Sequence, residues 1–218
     1  MAKRALIFQG GWPGHQPAEC AALFAEKLGA AGFIVEVNHT LACLDDRAYV
    51  AAFDLIVPLW TMGALTKEQE ENLVAAVTQG SGLAGFHGGM GDAFRGCINF
   101  QWMVGGQFVA HPDGIKTYRV TLTALGRADP MLAGLDDFDV VTEQYYMLVD
   151  PRNEVLATTV HHSTSAPWTN GVVMPVVWKK LHGAGRVFYS GLGHTCAEFT
   201  AVPAQLELTL RGMVWAAR

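Results

Sequence analysis

Gly82-Leu83-Ala84-Gly85-Phe86-His87-Gly88-Gly89 is the stretch on which the reading of this chain turns. Leu83–Phe86 is an apolar run of strand length that passes directly into a G-x-H-x-G turn. That is the form of a nucleophile elbow, where flanking glycines permit a sharp strand-to-helix turn that thrusts the central side chain into a cleft. Ser or Cys usually holds the centre, but here it is His87, and none of Cys20, Cys43, Cys97 and Cys196 lies nearby. Acyl transfer through a cysteine thioester is therefore excluded at this position. A helix N-terminus beside His87 disfavours the imidazolium, and a neutral imidazole can ligate a metal or accept a proton. Hydrogen bonding beneath a glycine-rich turn would also satisfy a lone histidine; the elbow context favours a functional role.

Outward from the elbow, strand and helix signals alternate. Ala5–Phe8 is a short apolar strand that ends in the turn Gly10-Gly11-Trp12-Pro13-Gly14. Pro17 to Ala31 carries Cys20, Leu23, Phe24 and Leu28 at helical spacing, with Gly32 as terminator. Phe33–Val37 and Asp54–Leu59 are further strands, the latter apolar enough to be buried on both faces. Thr66 and Gln69 form a T-x-x-Q capping box for a helix to Gln79, with Gly80 just past its end. This order predicts a flavodoxin-like, doubly wound, mainly parallel α/β sheet, with ligands at the carboxyl ends of its strands.

The second half reads as shorter strands at Tyr118–Leu122, Val140–Thr142, Tyr145–Val149 and Val155–Val160. Val176–Leu181 and Arg186–Ser190 flank His182-Gly183-Ala184-Gly185 as a hairpin. A final helix after Pro203 carries Leu206, Leu210, Met213 and Val214 on one stripe. No repeat or linker interrupts the chain, so residues 1–218 read as one domain.

With 218 residues, half of them apolar and 16% charged, the chain can bury a large core. A net charge of -5 with no Lys/Arg run argues against a nucleic-acid groove and favours a neutral, polar small molecule. No signal peptide or membrane-length apolar run is recognisable. The scattered cysteines contain no C-x-x-C pair and read as buried thiols, dispensable for activity. Cytoplasm is the expected compartment, with no membrane partner and a homo-oligomer left open.

Other polar groups sit near strand ends. Trp12 and Pro13 put bulk where a dinucleotide's pyrophosphate would approach, so no nucleotide cofactor is expected and Trp12 with His15 suits a pocket. Trp60 follows the third strand, where its face could stack on a sugar ring or pack in the core. His111 precedes a proline and is extended. Glu143 interrupts a strand pattern, and His194 lies in a glycine-rich turn. His161 and His162 should point to opposite faces, and His39 and His182 read as surface loop residues. No H-E-x-x-H motif exists, so a metal site would have to assemble from distant segments.

These segments together resemble the ThuA-like (trehalose utilisation) family over nearly the whole chain. The resemblance runs from Gly10-Gly11-Trp12-Pro13-Gly14-His15 through Leu65-Thr66-Lys67-Glu68-Gln69, the elbow, Trp102 to Phe108, His111-Pro112 and Glu143-Gln144-Tyr145-Tyr146. It continues through Met174 to Trp178, Gly185 to Tyr189 and Gly191-Leu192-Gly193-His194. It implies a class I glutamine-amidotransferase-like fold without glutamine chemistry, and a link to sugar catabolism, in particular to disaccharides oxidised at C3. On that basis the expected activity is cleavage of a 3-keto-glycoside by acid–base chemistry. The alternative is a non-catalytic sugar-binding or regulatory protein. His87 and Glu143 are the catalytic candidates, Trp12, His15, Trp60 and Tyr145 the substrate-binding ones. His87, His111 and His194 are candidate ligands of a divalent transition metal (Zn, Mn, Fe or Ni).

Overall fold

A computed structural model describes residues 2–218 of the chain. The parallel half contains β1 (Arg4–Gly11), α1 (Pro17–Ala30), β2 (Ile34–Asn38), α2 (Arg47–Ala51), β3 (Leu55–Thr61), α3 (Lys67–Thr78), β4 (Gly82–Phe86) and α4 (His87–Gly91). It is followed by α5 (Ile98–Val104), β5 (Gly106–Ala110), β6 (Ile115–Leu122), α6 (Ala124–Ala128), β7 (Phe138–Glu143) and β8 (Tyr146–Val149). The chain closes with β9 (Glu154–Val160), β10 (Val173–His182), β11 (Gly185–Ser190), α7 (Cys196–Ala201) and α8 (Pro203–Ala216).

Nine strands form one sheet in the order β2-β1-β3-β4-β11-β10-β9-β6-β7. β2, β1, β3, β4 and β11 run parallel; from β11 to β7 each neighbour is antiparallel. The apolar runs explain the parallel half, since Ala5 to Phe8 and Leu55 to Val57 have no exposed surface and need helices on both faces. One core contains Phe24 and Leu28 of α1 with Leu208 and Met213 of α8; the other contains Val50 of α2, Leu73 of α3 and Phe100 of α5. The sheet is thus doubly wound. Among the described residues no helix is long and apolar enough to cross a membrane.

Local signals act where the sequence places them. Thr66 Oγ1 accepts from Gln69 N–H (3.2 Å) while Gln69 Oε1 accepts from Thr66 N–H (3.0 Å), completing the capping box. In the β10–β11 hairpin only Gly183 and Ala184 lie outside the ladder; Gly183 at φ +61 meets the demand of a II′ turn at its first central residue.

Three expectations change. The run from Tyr145 becomes β8 and pairs with β5, a strand hidden in the glycine-rich Gly105–His111 segment, as a separate two-stranded ribbon. His182 is the half-buried last residue of β10, because the two-residue turn lets the ladder run to its end. The buried face of α8 is Gln205, Leu208, Thr209, Gly212, Met213 and Ala216, with Leu206 and Leu210 half-buried and Val214 exposed. The reason is close approach: a Cβ on Gly212 would lie against the Phe188 ring of β11, so the smallest residue faces the sheet.

The antiparallel extension positions Glu143. Strand β9 pairs with β6 only at Thr121 and Leu122, whereas Ile115 to Val120 of β6 pair with β7. The β6–β7 ribbon therefore peels away from the main sheet. Glu143, the last residue of β7, is five strands from β4 by sheet order, about 24 Å on a flat sheet. Its carboxylate nevertheless lies 3.1 Å from the imidazole of His87, directly after β4. The ribbon curls back over the carboxyl ends of the parallel strands.

The approach of α8 to β11 generates a stability test. Ala exceeds Gly in helix propensity by about 1 kcal/mol, but overpacking a core costs about 1–3 kcal/mol. With the Phe188 ring fully buried, overpacking wins. Gly212→Ala should lower the unfolding free energy in urea by up to about 2 kcal/mol; greater stability would contradict the packing.

Candidate metal centre

The site collects turns from the carboxyl ends of four parallel strands. His15 follows β1, Thr61 ends β3, His87 follows β4, and Gly191 and His194 follow β11. His87 sits at φ +47, a left-handed conformation costly for a residue with a Cβ. Glycine makes the turn passable: a Cβ on Gly85 would lie 2.9 Å from Met90, and one on Gly88 would strike the imidazole of His15. Gln16 (φ +49) and Met62 (φ +60), next to His15 and Thr61, are held in the same region. Three non-glycine residues in left-handed backbone thus fall at the ends of β1, β3 and β4, and such outliers concentrate at functional sites.

His15, His87, Glu143 and His194 each offer one donor atom, and the four atoms lie within 4.8 Å of one another. Oε2 of Glu143 is the common point, 3.1 Å from Nε2 of His87, 3.3 Å from Nδ1 of His194 and 4.0 Å from Nε2 of His15. The opposite ring nitrogens are fixed from outside. Nδ1–H of His87 donates to the Gly191 carbonyl (3.0 Å), and Nδ1 of His15 hydrogen-bonds Oγ1 of Thr61 (2.7 Å). The Gly191 carbonyl can only accept and so selects the His87 tautomer whose Nε2 is free to ligate, while Thr61 orients the His15 ring, as outer partners do around metal-ligating histidines.

The backbone behind the cluster is also anchored. Tyr118 Oη donates to the Glu143 carbonyl (3.2 Å), Tyr189 Oη to that of His87 (3.1 Å), and the Tyr145 ring stacks on His87 with centroids 4.0 Å apart.

Electrostatics separate the roles. Burial lowers the pKa of His87 to about 4, outweighing the raising effect of Glu143, so the ring is neutral at physiological pH. Burial works to raise the Glu143 carboxyl, but the His15, His194 and His87 imidazoles gathered around it overcome that and hold the group well below the usual carboxylate range. The neighbouring carboxylate raises His194 against the opposing effect of burial. Nδ1 of His194, though near Glu143, has no aligned hydrogen-bond partner.

The donor set fits a divalent transition metal. Three imidazoles and one carboxylate are the ligands zinc and its neighbours prefer. Oxygen–nitrogen separations of 3.1–4.0 Å can be spanned by metal–ligand bonds of about 2.0–2.2 Å. The buried, unpartnered Nδ1 of His194 aims into the same space.

Among the residues singled out from sequence, His87, His194 and Glu143 meet in this cluster together with His15, a substrate-binding candidate by sequence. His111 stands to one side: its Nε2 is 3.6 Å from the other oxygen, Oε1 of Glu143, and its side chain is 41% exposed. Trp12, 42% exposed, stands edge-on to His15 with centroids 4.6 Å apart, at the rim. Tyr145 is a buried wall of the site. Trp60 fills the space left by Gly10 and Gly63, and its neighbour Thr61 reaches the cluster instead. His161 is buried against Tyr146 and His162 is exposed, on opposite sides of the segment. His39 is exposed and hydrogen-bonds Gln9. The partners Thr61, Gly191, Tyr118 and Tyr189 carry no sequence signal; only the end of a parallel strand marks Thr61.

With fold and site in place, the class is a doubly wound α/β protein with a His/Glu cluster at its elbow. The chain belongs to the ThuA family, described as trehalose utilisation, which matches residues 4–216. A sugar-related role follows at that level. No curated protein matches it. A ThuA-like protein from Bacteroides uniformis is 20% identical, with a TM-score of 0.78 over 98% of this chain and 91% of its own. One from Parabacteroides merdae is 16% identical, with a TM-score of 0.78 over 99% and 90%. A β-galactosidase from Rahnella sp. R3 is 17% identical, with a TM-score of 0.58 over 95% of this chain but 32% of its own, so there the fold is one part of a larger enzyme.

The low pKa of His87 has a measurable consequence in metal-free protein. The unfolded chain binds a proton at this residue near pH 6.5, the folded chain only near 4. Stability therefore falls as pH drops through that window, by about 2 kcal/mol at pH 5 for this residue. The raised His194 acts oppositely, adding stability below its unfolded value that is lost as pH rises through its folded one. In urea unfolding at pH 7.5 and 5.0 after chelation, His87→Asn should lose about 2 kcal/mol less than wild type over this interval. Equal losses would refute a buried neutral His87.

Proposed function

We propose that the protein is a metal-dependent enzyme of sugar catabolism that cleaves the glycosidic bond of a 3-keto-disaccharide or related 3-keto-glycoside. One observation carries this reading: four donor atoms from distant segments converge within 4.8 Å at the elbow. Membership of the trehalose-utilisation family supports the sugar. The β-galactosidase that shares the fold is itself a carbohydrate enzyme.

A ketone at C3 acidifies the proton at C2. Removing that proton leaves an enolate, whose electron pair forms the C1–C2 double bond as the C1–O bond breaks and the leaving oxygen takes up a proton. Water then adds to the unsaturated sugar if the net reaction is hydrolysis. A divalent cation in the cluster supplies Lewis acidity toward the C3 carbonyl oxygen.

His15, His87, His194 and Glu143 hold that cation. Glu143, with basicity depressed by its imidazole neighbours, is a poor proton acceptor and serves as a ligand. Proton transfer falls to His111, the half-exposed imidazole on the free side of the carboxylate, which takes the C2 proton and returns one to the leaving oxygen. Trp12, exposed at the rim, offers its face to a sugar ring.

Protein purified without a His-tag should contain about one divalent transition metal per chain, measured by elemental analysis. His87→Ala and His194→Ala should lose it. His111→Ala should keep it while kcat on a 3-keto-disaccharide falls about 10²–10⁴-fold. The unoxidised disaccharide should not turn over. Metal-loaded protein that binds the keto sugar without turnover would establish the binding module instead, and wild-type protein without metal would remove the centre from the reading.

A further inference from the structure

On the outer side of the β5–β8 ribbon lies a surface that the site does not use. Ile98 and Trp102, one turn apart on α5, are 77% and 65% exposed; Leu148 and Val149 on β8 are 65% and 39% exposed. They border a groove of about 380 Å³ that also contains Gly106 and Gln107. Its one charged lining residue, Asp150, is neutralised by Lys180 at 2.7 Å. The four apolar side chains leave on the order of 450 Å² open, in the range of about 300–600 Å² where an apolar patch on a folded chain marks an interaction site.

We infer that this face of α5 and the β5–β8 ribbon is a two-fold homodimer interface. The occupant follows from shape, area and charge. An exposed aromatic ridge, Trp102, stands beside a groove of about 380 Å³ bordered by Leu148 and Val149, so one copy supplies both halves of an isologous contact. A two-fold axis covers the patch twice, roughly 900 Å² of apolar centre. The polar rim from Gln101 and Gln107 carries it past the roughly 1,000–1,200 Å² that a specific dimer requires. A centre depleted of charge and anchored on Trp is the composition of such interfaces. Among the described residues, β5 and β8 pair only with each other, so the ribbon is not built into the main sheet. A sugar is a poorer occupant, because no convergent set of polar groups lines the groove.

The inference is independent of the metal reading, yet it touches the site. On the inner side of the ribbon, Phe108 packs against Tyr145 (centroids 4.5 Å apart) and against His111 (5.7 Å). Association would stiffen the ribbon that backs those two residues.

Sedimentation velocity from low to high micromolar chain should give a dimer for wild type. The combined Trp102→Glu and Leu148→Glu variant should be monomeric, its dissociation constant raised at least about 100-fold, with the wild-type circular dichroism spectrum. Trp168→Glu, at an 80% exposed tryptophan elsewhere, should remain dimeric. Amide exchange on wild type provides a second reading that needs no variant: residues 98–109 and 147–149 should gain protection as concentration rises. A monomeric wild type, a dimer that survives the double substitution, or exchange in these segments independent of concentration would each overturn the interface.

Discussion

A carboxylate with a tenth of its side-chain surface exposed cannot stay ionised without partners, and everything around Glu143 serves that requirement. Burial alone would push its proton on; the three imidazoles that face one of its oxygens keep it off. The imidazoles cannot all be cations, since their rings are 4.7–5.4 Å apart and like charges in a dry cleft repel. The structure divides the burden: His87 is neutral by burial, while His194 is drawn toward the charged form by Glu143. One negative charge ringed by imidazole nitrogens is the electrostatic complement of a small divalent cation. Occupation by a cation would satisfy the carboxylate, relieve competition for a single proton and engage the unpartnered Nδ1 of His194 at once.

That convergence constrains the backbone as strongly as the charge. His15, His87 and His194 come from turns that a parallel sheet places together at its carboxyl end, so their proximity follows from topology. Glu143 does not, because its strand lies at the opposite edge of the nine-stranded order. Only the departure of β6 from β9 after two paired residues lets the β6–β7 ribbon return. Tyr118, on β6, then ties its hydroxyl to the carbonyl of Glu143 and holds the end of β7 within the ribbon. The left-handed backbone at Gln16, Met62 and His87 is the complementary strain on the parallel side. Each such residue costs on the order of 1–3 kcal/mol and persists because packed strands on both sides leave the turn no alternative.

These two halves of the site differ in how legible they are. The parallel strands and their helices were readable because long apolar runs, a capping box and glycine terminators all agree, and the elbow marked His87 by its glycines. His15 was noticed at a strand end, but no local spacing separates an imidazole that contacts sugar from one that turns Nε2 onto a carboxylate; Thr61, which decides it, is 46 residues away. Strand β5 was hidden because its glycine-rich sequence resembles a turn, and its partner β8 gains nothing from the main sheet. The stripe on α8 misled for a related reason: the faces richest in leucine and poorest in side chain differ, and close approach to Phe188 selects the latter. Nothing local could reveal that Glu143 lies beside His87, since that depends on the number of residues β6 gives to β9 before turning away.

The elbow itself explains how such a fold can carry different chemistry. Its geometry presents one side chain, at positive φ, to the point where strand ends converge, and it does so through Gly85, Gly88 and Gly89 whatever residue stands between them. A thiol there would need a base and an oxyanion hole within reach. An imidazole there needs its far nitrogen tied down and its near nitrogen facing something electron-poor. Gly191 supplies the first. The second requires that neighbouring turns also contribute donors, which is why His87 alone would signify little, whereas His87 with His15, His194 and Glu143 forms a set that could hold a metal ion. The fold provides the position, and the chemistry is set by what the other three strand ends and the returning ribbon bring to it.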